Sequence, residues 1–351
     1  MREVDYIIVG LGLAGIAFCE ELIARKKTFF VFDAQGDAAS KVAAGLYNPV
    51  ILKRYTLPWK ALEQFPALQQ HWDKLGERLS GSIHKPISVR KIFTSVEDQN
   101  NWFTASGQVG LSHFIKPTVT RNTNAHIEAP FHFGEVQHTG KVDIKKLISG
   151  YTEYLERTHA FAKAYVDHSK IELTEKGVRY QDIEASHIVF AEGYGMKKNP
   201  FFSALPLVGN KGEYIYIKAP DLKLNEAIKS SFFVIPVGDD TYQVGATFNW
   251  KDKDCLISTV AREELEVKLK TVIHCDYEVI AQEAGIRPTT GDRRPLVGVH
   301  PKHKQLALLN GLGTRGTMMS PYLAQCLIEH LEEGKPLPEE IDIMRFPKKF
   351  S

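Results

Sequence analysis

The chain has 351 residues, a length that suggests about two domains of ordinary size. Its 44 Lys and Arg residues nearly balance its 42 Asp and Glu residues, leaving a formal charge of +2, and 43% of the residues are hydrophobic. This composition excludes disordered, collagen-like and coiled-coil proteins. It also argues against a strongly basic nucleic-acid module, because so small a net charge attracts phosphate weakly over long distances.

Two features bear on the compartment in which the protein acts. The segment from Tyr6 to Cys19 is apolar and uncharged, but glycines interrupt it and it is shorter than the roughly 20 residues of a bilayer-spanning helix. We therefore interpret it as a buried strand that runs into a helix, and we expect no membrane span. The four cysteines lie far apart and form no CxxC motif, which predicts a reducing, cytoplasmic environment without a disulfide framework or a cysteine zinc site.

The N-terminal residues form a nucleotide-binding pattern. The apolar run at 5–9 is typical of a parallel strand that is buried on both faces, and a GxGxxG motif, a helix and a second strand ending at Asp33 follow. In this order Gly10 permits a tight turn, Gly12 lets a pyrophosphate approach, and Gly15 lets the helix pack closely. Asp33 is placed to bind ribose hydroxyls, which disfavours NADP but does not separate NAD from FAD.

The segment after the second strand adds a family resemblance. Residues 40–49, SKVAAGLYNP, are small and low in charge, which indicates a stretch close to a bound ligand. Here the sequence resembles the D-amino-acid oxidase superfamily of FAD-dependent oxidoreductases, which includes glycine oxidase and sarcosine oxidase. In that superfamily a Ser-x-x-Ala-(Ala/Gly)-Gly stretch packs against the flavin. The resemblance implies FAD as the cofactor.

Hydrophobic spacing predicts the elements of the middle of the chain. Apolar positions recur at helical spacing over residues 58–79, short strands with turns follow over 83–138, and a helix begins at Ile144. The histidines between 113 and 138 show no metal-ligand spacing, so no metal site is expected. Strands over 160–166 and 188–193 resemble those that complete the superfamily's nucleotide-binding domain, in which the role of Glu192 stays open.

Two aromatic residues fall at positions that bind substrate or flavin in glycine oxidase. By spacing, Phe233 takes the place of a substrate-contacting tyrosine, and Phe248 takes the place of a methionine near the flavin. The resemblance makes both of them candidate catalytic residues. The alternative is that they are core aromatics of a mixed sheet.

The most specific stretch is GIRPTTGDRRPLVG at 285–298, which matches the glycine-oxidase type GxRPxTxDxxPxxG without a gap. Arg287 matches the arginine that holds the substrate carboxylate there, a task suited to a planar fork of donors. The alternative is a structural arginine before Pro288. Ile286 occupies the position near which sarcosine oxidases attach flavin through a cysteine, so non-covalent FAD is expected.

A second glycine cluster begins at Gly311, before a helix for which Ser320 is the expected N-cap and Pro321 the first residue. The N-terminal region of this helix, with Arg315, is expected to face the flavin and stabilise its reduced, anionic form. Arg315 is therefore a further candidate catalytic residue. The predicted cofactor-binding residues are Gly10, Gly12, Leu13, Ala14, Gly15, Asp33, Ala34, Ser40, Ala43, Ala44, Gly45, Val166, Ala191, Gly193, Gly311, Gly313, Thr314, Arg315, Gly316 and Thr317.

The predicted fold is α/β, with a Rossmann-type FAD-binding domain, three-layered around a mostly parallel sheet, and an α+β substrate domain built on an antiparallel sheet. The expected FAD-binding domain is discontinuous, and the substrate domain lies between its parts. We assign 1–80, 139–205 and 285–351 to the FAD-binding domain, and 81–138 and 206–284 to the substrate domain.

The predicted function is oxidation of the C–N bond of a small amino acid or secondary amine carboxylate, by hydride transfer to flavin N5. Three alternatives stay open. The segment LGTRG at 312–316 resembles the FAD-dependent half of the bifunctional tRNA methylaminomethyl-2-thiouridine enzyme, which implies a carboxymethylaminomethyl-modified wobble uridine of tRNA as substrate. A dehydrogenase that passes electrons to a quinone or carrier, and a non-catalytic nucleotide-binding protein, are the others. The acceptor and the oligomeric state do not follow from the sequence.

Overall fold

A computed structural model describes residues 1–175 and 177–350. Its α-helices are α1 (Leu13–Ala24), α2 (Ala39–Val42), α3 (Ala61–Arg78), α4 (Val96–Ser106), α5 (Ile144–Arg157), α6 (Thr259–Lys270) and α7 (Gly316–Glu333). Its strands are β1 (Arg2–Val9), β2 (Phe29–Asp33), β3 (Leu46–Tyr47), β4 (His84–Pro86), β5 (Val89–Ile92), β6 (Ile115–Thr120), β7 (Phe133–Val136), β8 (Gly140–Val142), β9 (Phe161–Lys163), β10 (Glu172–Leu173), β11 (Val178–Tyr180), β12 (Ile183–Phe190), β13 (Asn210–Lys218), β14 (Ala227–Lys229), β15 (Phe233–Gly238), β16 (Thr241–Gly245), β17 (Glu278–Arg287), β18 (Leu296–Val299) and β19 (Leu306–Asn310).

The first sheet is parallel at its centre. Its strand order is β10-β11-β12-β1-β2-β9, and β19 pairs with the end of β12 and carries β18 at its side. Ile7 of β1 lies opposite Ile188 of β12 and Phe30 of β2. Because β1 is covered on both faces, its central residues are almost completely buried, which explains the unbroken apolar run in the sequence.

Helices cover one face of this sheet. Residues of α1, α3, α5 and α7 form one apolar cluster with residues of β1 and β19, in which α3 packs on α7. A second cluster on the opposite face includes Met196, Phe202 and Phe350. Because β1, β2 and β12 run parallel, they end at the same edge of the sheet. The residues that follow these three strands come close to one another there.

The second sheet has the order β17-β13-β16-β15-β14-β5-β7-β6 and is antiparallel except where β14 pairs with β5. One face packs on α6, where Leu265 and Leu269 meet Ile215 and Val244. Side chains alternate along the strands, so Gly212, Tyr214, Gly245, Phe233 and Lys229 lie on the other face.

The expectation of short strands throughout 83–138 is wrong at α4. The Ser95 hydroxyl accepts a hydrogen bond from the Asp98 N–H, and Glu97 and Asp98 lie in the first turn, where carboxylates favour a helix. Trp102, completely buried, packs the helix into the core. The Ser-x-x-Asp spacing is the signal in the sequence that indicates this helix.

The expected start of the last helix is also wrong. Helix α7 begins at Gly316, directly after the turn at Gly311 and Gly313, and its N-cap is Arg315 rather than Ser320. Pro321 lies inside the helix, where it removes one backbone hydrogen bond. The first turn of α7, including Met318, is buried, and this tertiary packing stabilises helical residues on the N-terminal side of Pro321.

The residues after Gly334 are packed rather than a loose tail. Leu337, Ile341 and Ile343 are buried, and Ile343 contacts the glycine of β18, Gly298. Within residues 1–175 and 177–350, no helix has the length and apolar character needed to cross a bilayer. The same residues bring no three His, Cys, Asp or Glu side chains together as metal ligands.

Candidate active site

A cavity of about 840 Å³ lies where the parallel strands of the first sheet end. Its lining includes the residues that follow β1, β2 and β12, the start of α7, and the inner face of the second sheet. Ligands bind outside the carboxyl ends of parallel strands in open α/β sheets, and the volume is in the range of ligand pockets.

The three glycines of the first GxGxxG motif have different surroundings. A Cβ atom at Gly10 would lie 2.6 Å from the carbonyl oxygen of Ala191, and one at Gly15 would lie 2.0 Å from that of Gly10. Backbone therefore packs against both, and Gly15 lies outside the cavity. Gly12 lines the cavity, and the nearest atom to its Cβ would be the Ser40 hydroxyl oxygen at 3.0 Å.

The N-terminus of α1 is arranged for an anion. Its N-cap is Gly12, which has no side chain to satisfy the first N–H groups, and no acidic residue lies in its first turn. In the part of the chain that the structure describes, the first turn makes one side-chain hydrogen bond, a long one of 3.3 Å from the Leu13 N–H to the Ser40 hydroxyl. Free N–H groups and the positive end of the helix dipole therefore face the cavity, as a pyrophosphate requires.

Asp33 holds the loops at the end of β2. Its two carboxylate oxygens accept from the Leu11 N–H at 2.7 Å and the Gln35 N–H at 2.6 Å. Each oxygen retains a lone pair for a hydroxyl donor. The side chain therefore ties the glycine turn to β2 and still offers acceptors to a ribose.

The structure brings together most of the predicted cofactor-binding residues. Gly15 and Gly311 are the exceptions, since both lie outside the cavity and make room for neighbouring backbone. Val166 follows β9 as loop rather than ending a strand, yet it still faces the cavity. The lining residues are Gly10, Gly12, Leu13, Ala14, Asp33, Ala34, Ser40, Ala43, Ala44, Gly45, Val166, Ala191, Gly193, Gly313, Thr314, Arg315, Gly316 and Thr317.

Arg287 reaches the same cavity from the end of β17 and is 8% exposed. Its Nη1 donates to the Asn210 side-chain oxygen at 2.8 Å and to the Thr247 carbonyl oxygen at 3.3 Å. Among the described residues no carboxylate lies within ion-pair distance of it. A buried guanidinium whose partners are neutral can bind a carboxylate from a ligand with two parallel hydrogen bonds.

Gly212 makes room for that guanidinium. A Cβ at this position would lie 1.9 Å from Nη2 and 2.2 Å from Cζ of Arg287. Since the guanidinium ends a flexible side chain, we expect Gly212→Ala to displace it while the sheet stays intact. The expected result is a loss of about 10-fold or more in kcat/KM without loss of bound FAD.

The matched control for this substitution is Gly285→Ala. Gly285 lies opposite Gly212 in the sheet, and the atoms nearest to its Cβ would belong to Val42 and Ala39, at 3.3 Å or more. Steady-state kinetics and the visible spectrum compare the two variants. Equal activities would show that the space at Gly212 does not position Arg287.

The two candidate aromatics differ in exposure. Phe248 is 62% exposed, and its ring lies over Arg287, 4.8 Å from the guanidinium carbon, so it is a cover and not a core residue. Phe233 is partly buried and lines the cavity, and the centre of its ring lies 5.0 Å from Nζ of Lys229. Phe233 also packs with the apolar cluster under β5 and β7, so it contributes to both cavity and core.

Arg315 lies at the start of α7 and donates to the Asn48 carbonyl oxygen at 2.9 Å. Burial lowers the pKa of Arg315 to about 10, which leaves the side chain charged at neutral pH. It therefore adds positive charge to the helix N-terminus at the cavity wall.

Three features of the site have little signal in the sequence. Glu192 accepts from Asn199 at 2.7 Å and lies 2.8 Å from the His168 ring nitrogen, so it ties neighbouring segments together. Asn210 is buried beside Arg287, and its amide nitrogen has no hydrogen-bond partner among the described residues. Lys229 lies in the cavity lining. Finding Asn210 or Lys229 would have required the strand register, which the sequence pattern does not supply.

The sequence and the fold are similar to those of known proteins. The family model described as "DAO: FAD dependent oxidoreductase" matches residues 5–330. The chain is 20% identical over 371 aligned positions to glycine oxidase of Pseudomonas aeruginosa, covering 94% of this chain and 95% of the relative. The crystal structure of glycine oxidase from Geobacillus kaustophilus superposes with a TM-score of 0.80 at 22% identity, covering 96% of each chain.

A second kind of relative matches only in part. The tRNA 5-methylaminomethyl-2-thiouridine biosynthesis bifunctional protein MnmC of Azoarcus sp. is 28% identical over 182 residues. The match covers 46% of this chain and 28% of that protein. The chain thus spans less than a third of the length of these curated relatives.

Proposed function

The chain belongs to the DAO family of FAD-dependent oxidoreductases, and we propose that it oxidises the C–N bond of a small amino acid or secondary amine that carries a carboxylate. The observation that carries this proposal is the environment of Arg287. A cation 8% exposed, with neutral protein partners, lines the same cavity as the FAD-binding glycines. A substrate carboxylate supplies the charge that this environment lacks.

The residues present fit FAD. The uncapped α1 N-terminus suits the pyrophosphate, Asp33 suits a ribose, and the small residues from Ala43 to Gly45 leave space along the cavity wall. When bound, FAD supplies the acceptor for a hydride from the substrate carbon.

The protein groups position the substrate and supply charge. Arg287 binds the carboxylate and thereby fixes the neighbouring carbon, while Phe248 covers the guanidinium from solvent. Arg315 adds positive charge at the N-terminus of α7, where negative charge develops during the reaction. The amine would bind in its neutral form and give up a hydride from carbon, for which bound FAD would be the acceptor, and a proton from nitrogen to solvent. Water would then hydrolyse the imine to a carbonyl compound and an amine or ammonia.

The test is the visible spectrum of the purified protein under anaerobic conditions, before and after addition of amino acids and N-substituted glycines. We expect a yellow protein that releases intact FAD on denaturation and is bleached by at least one compound of the panel. A protein that takes up FAD but is bleached by none of them would contradict a small amine as substrate.

A second candidate is a carboxymethylaminomethyl-modified wobble uridine of tRNA. The similarity to a tRNA-modifying protein favours it, as do two exposed aromatic residues close together in the chain, Phe248, whose ring lies over Arg287, and Trp250. Exposed aromatic rings stack on unpaired bases. Bleaching by undermodified tRNA but not by the amine panel, with binding that weakens as salt rises, would support this candidate over the first.

A further inference from the structure

Lys229 ends β14 on the cavity face of the second sheet. It lies opposite Phe233 of β15 and opposite Lys91 of β5, and both Lys229 and Phe233 line the cavity. Side chains of directly opposed residues project from the same face of a sheet. Lys229 therefore belongs to the cavity wall, although the proposed chemistry does not use it.

The charge of Lys229 has no carboxylate partner within the described residues. Its ammonium donates to the Ser230 carbonyl oxygen at 2.7 Å, while Lys91 pairs with Asp98 and Lys268 pairs with Glu264. Burial and these neighbouring lysines lower the pKa of Lys229 to about 8. An ammonium taken from water without a counter-charge is unfavourable, so an anion that enters the cavity would gain from binding it.

Lys229 and Arg287 lie far apart along the same wall. In the order β17-β13-β16-β15-β14 their strands are four steps apart, which corresponds to about 19 Å across the sheet at the usual strand spacing. The carboxylate and amine of a glycine span two bonds. The strand spacing gives the separation of the two backbones, and two extended side chains shorten that distance without closing it. A ligand that reaches both cations is therefore longer than a simple amino acid.

We propose that Lys229 binds a second anionic group of the substrate, at the end opposite the carboxylate held by Arg287. That Arg287 binds the substrate carboxylate rests on the proposed function. That Lys229 offers a second cation rests on its own position and partners. The substrate class is then an N-substituted glycine whose substituent ends in an anion. That anion is either a carboxylate or a phosphate.

The experiment measures binding without turnover. FAD-loaded protein is titrated with straight-chain dicarboxylates of increasing length and with monocarboxylates of the same lengths, and the change in the flavin visible spectrum reports binding. We expect the best dicarboxylate to bind about 10-fold more tightly than its matched monocarboxylate. Straight-chain phosphonocarboxylates form a second arm, and the tighter-binding series identifies the anion.

Two variants separate Lys229 from general charge effects. Lys229→Met is expected to abolish the preference for a second anion, and Lys229→Arg to retain it. Lys268→Met, which removes a nearby cation paired on α6, is expected to leave the preference unchanged. The flavin spectrum of each variant checks that FAD is still bound.

The proposal would be overturned if neither the dicarboxylates nor the phosphonocarboxylates bound more tightly than the monocarboxylates of the same lengths. It would also be overturned if Lys229→Met still bound the probes with two anions more tightly. None of these probes carries an amine, so the result does not depend on whether an N-substituted glycine bleaches the flavin. Failure of the amine panel alone would contradict the proposed reaction and leave the two-anion preference as a separate, measured property of the cavity.

Discussion

Arg287→Ala is expected to lower kcat/KM by about 10³-fold while FAD remains bound. The side chain offers two charge-assisted hydrogen bonds to a carboxylate, each worth about 1.5–3 kcal/mol, and each 1.36 kcal/mol corresponds to a tenfold rate. Within the described residues the guanidinium donates hydrogen bonds to Asn210 and Thr247, so its removal leaves the glycine turn at the start of α1 untouched. Steady-state kinetics and the flavin spectrum measure the two effects.

The matched control is Arg293→Ala. Arg293 lies in the same motif but is exposed, and we expect its variant to keep near-normal kinetics. Arg287→Lys should recover only part of the activity, because an ammonium cannot form the two parallel bonds. If Arg287→Ala turned over normally, the arginine would not belong to the substrate site and the proposed reaction would lose its main support.

Gly12→Ala is expected to raise the Kd for FAD by about 100-fold or more. The backbone at Gly12 has φ −86°, which alanine adopts without strain, so the effect is confined to the space that the new methyl group occupies. That space lies at the N-terminus of α1, where the free N–H groups face the cavity. Titration of the flavin-free protein with FAD measures the affinity, and circular dichroism checks the fold.

A double variant separates two causes of such a loss. The nearest atom to the new methyl group is the Ser40 hydroxyl oxygen, and Gly12→Ala with Ser40→Ala removes it. We expect the double variant to bind FAD as weakly as the single one. If the double variant recovered its affinity for FAD, the loss in Gly12→Ala would come from a clash between the new methyl group and the Ser40 hydroxyl. It would then not come from space taken from the cofactor. Gly291→Ala, where no atom lies within 4 Å, serves as the neutral control.

The sequence predicted those parts of the fold that depend on local patterns. The order of strand, glycine turn, helix, strand and acid at 5–33 is a local pattern in which each part has a physical reason. The mixed α/β architecture, the DAO family and FAD are confirmed. The predicted domain boundaries stay a prediction. The mistake at the start of α7 has a tertiary cause, because apolar burial keeps Pro321 inside the helix. The missed helix α4 instead has a local signal, the Ser-x-x-Asp spacing at its N-terminus.

The candidate site divides in the same way. Arg287 and the glycines belong to contiguous motifs and could be proposed from the sequence alone. Gly212 and Lys229 matter because of the residues opposite them on other strands, and that register depends on contacts far apart in the chain. The role of Glu192 does not follow from the sequence for the same reason, since its partners His168 and Asn199 belong to separate segments.

The order of strands in the first sheet has a consequence for synthesis on the ribosome. β1 is made first, but it pairs with β12, and β12 pairs in turn with β19, close to residue 310. One edge of β1 therefore stays unpaired until β12, which ends at Phe190 just over halfway along the chain, has been translated. The cavity wall at 313–318 follows still later, so flavin loading belongs to the time after that.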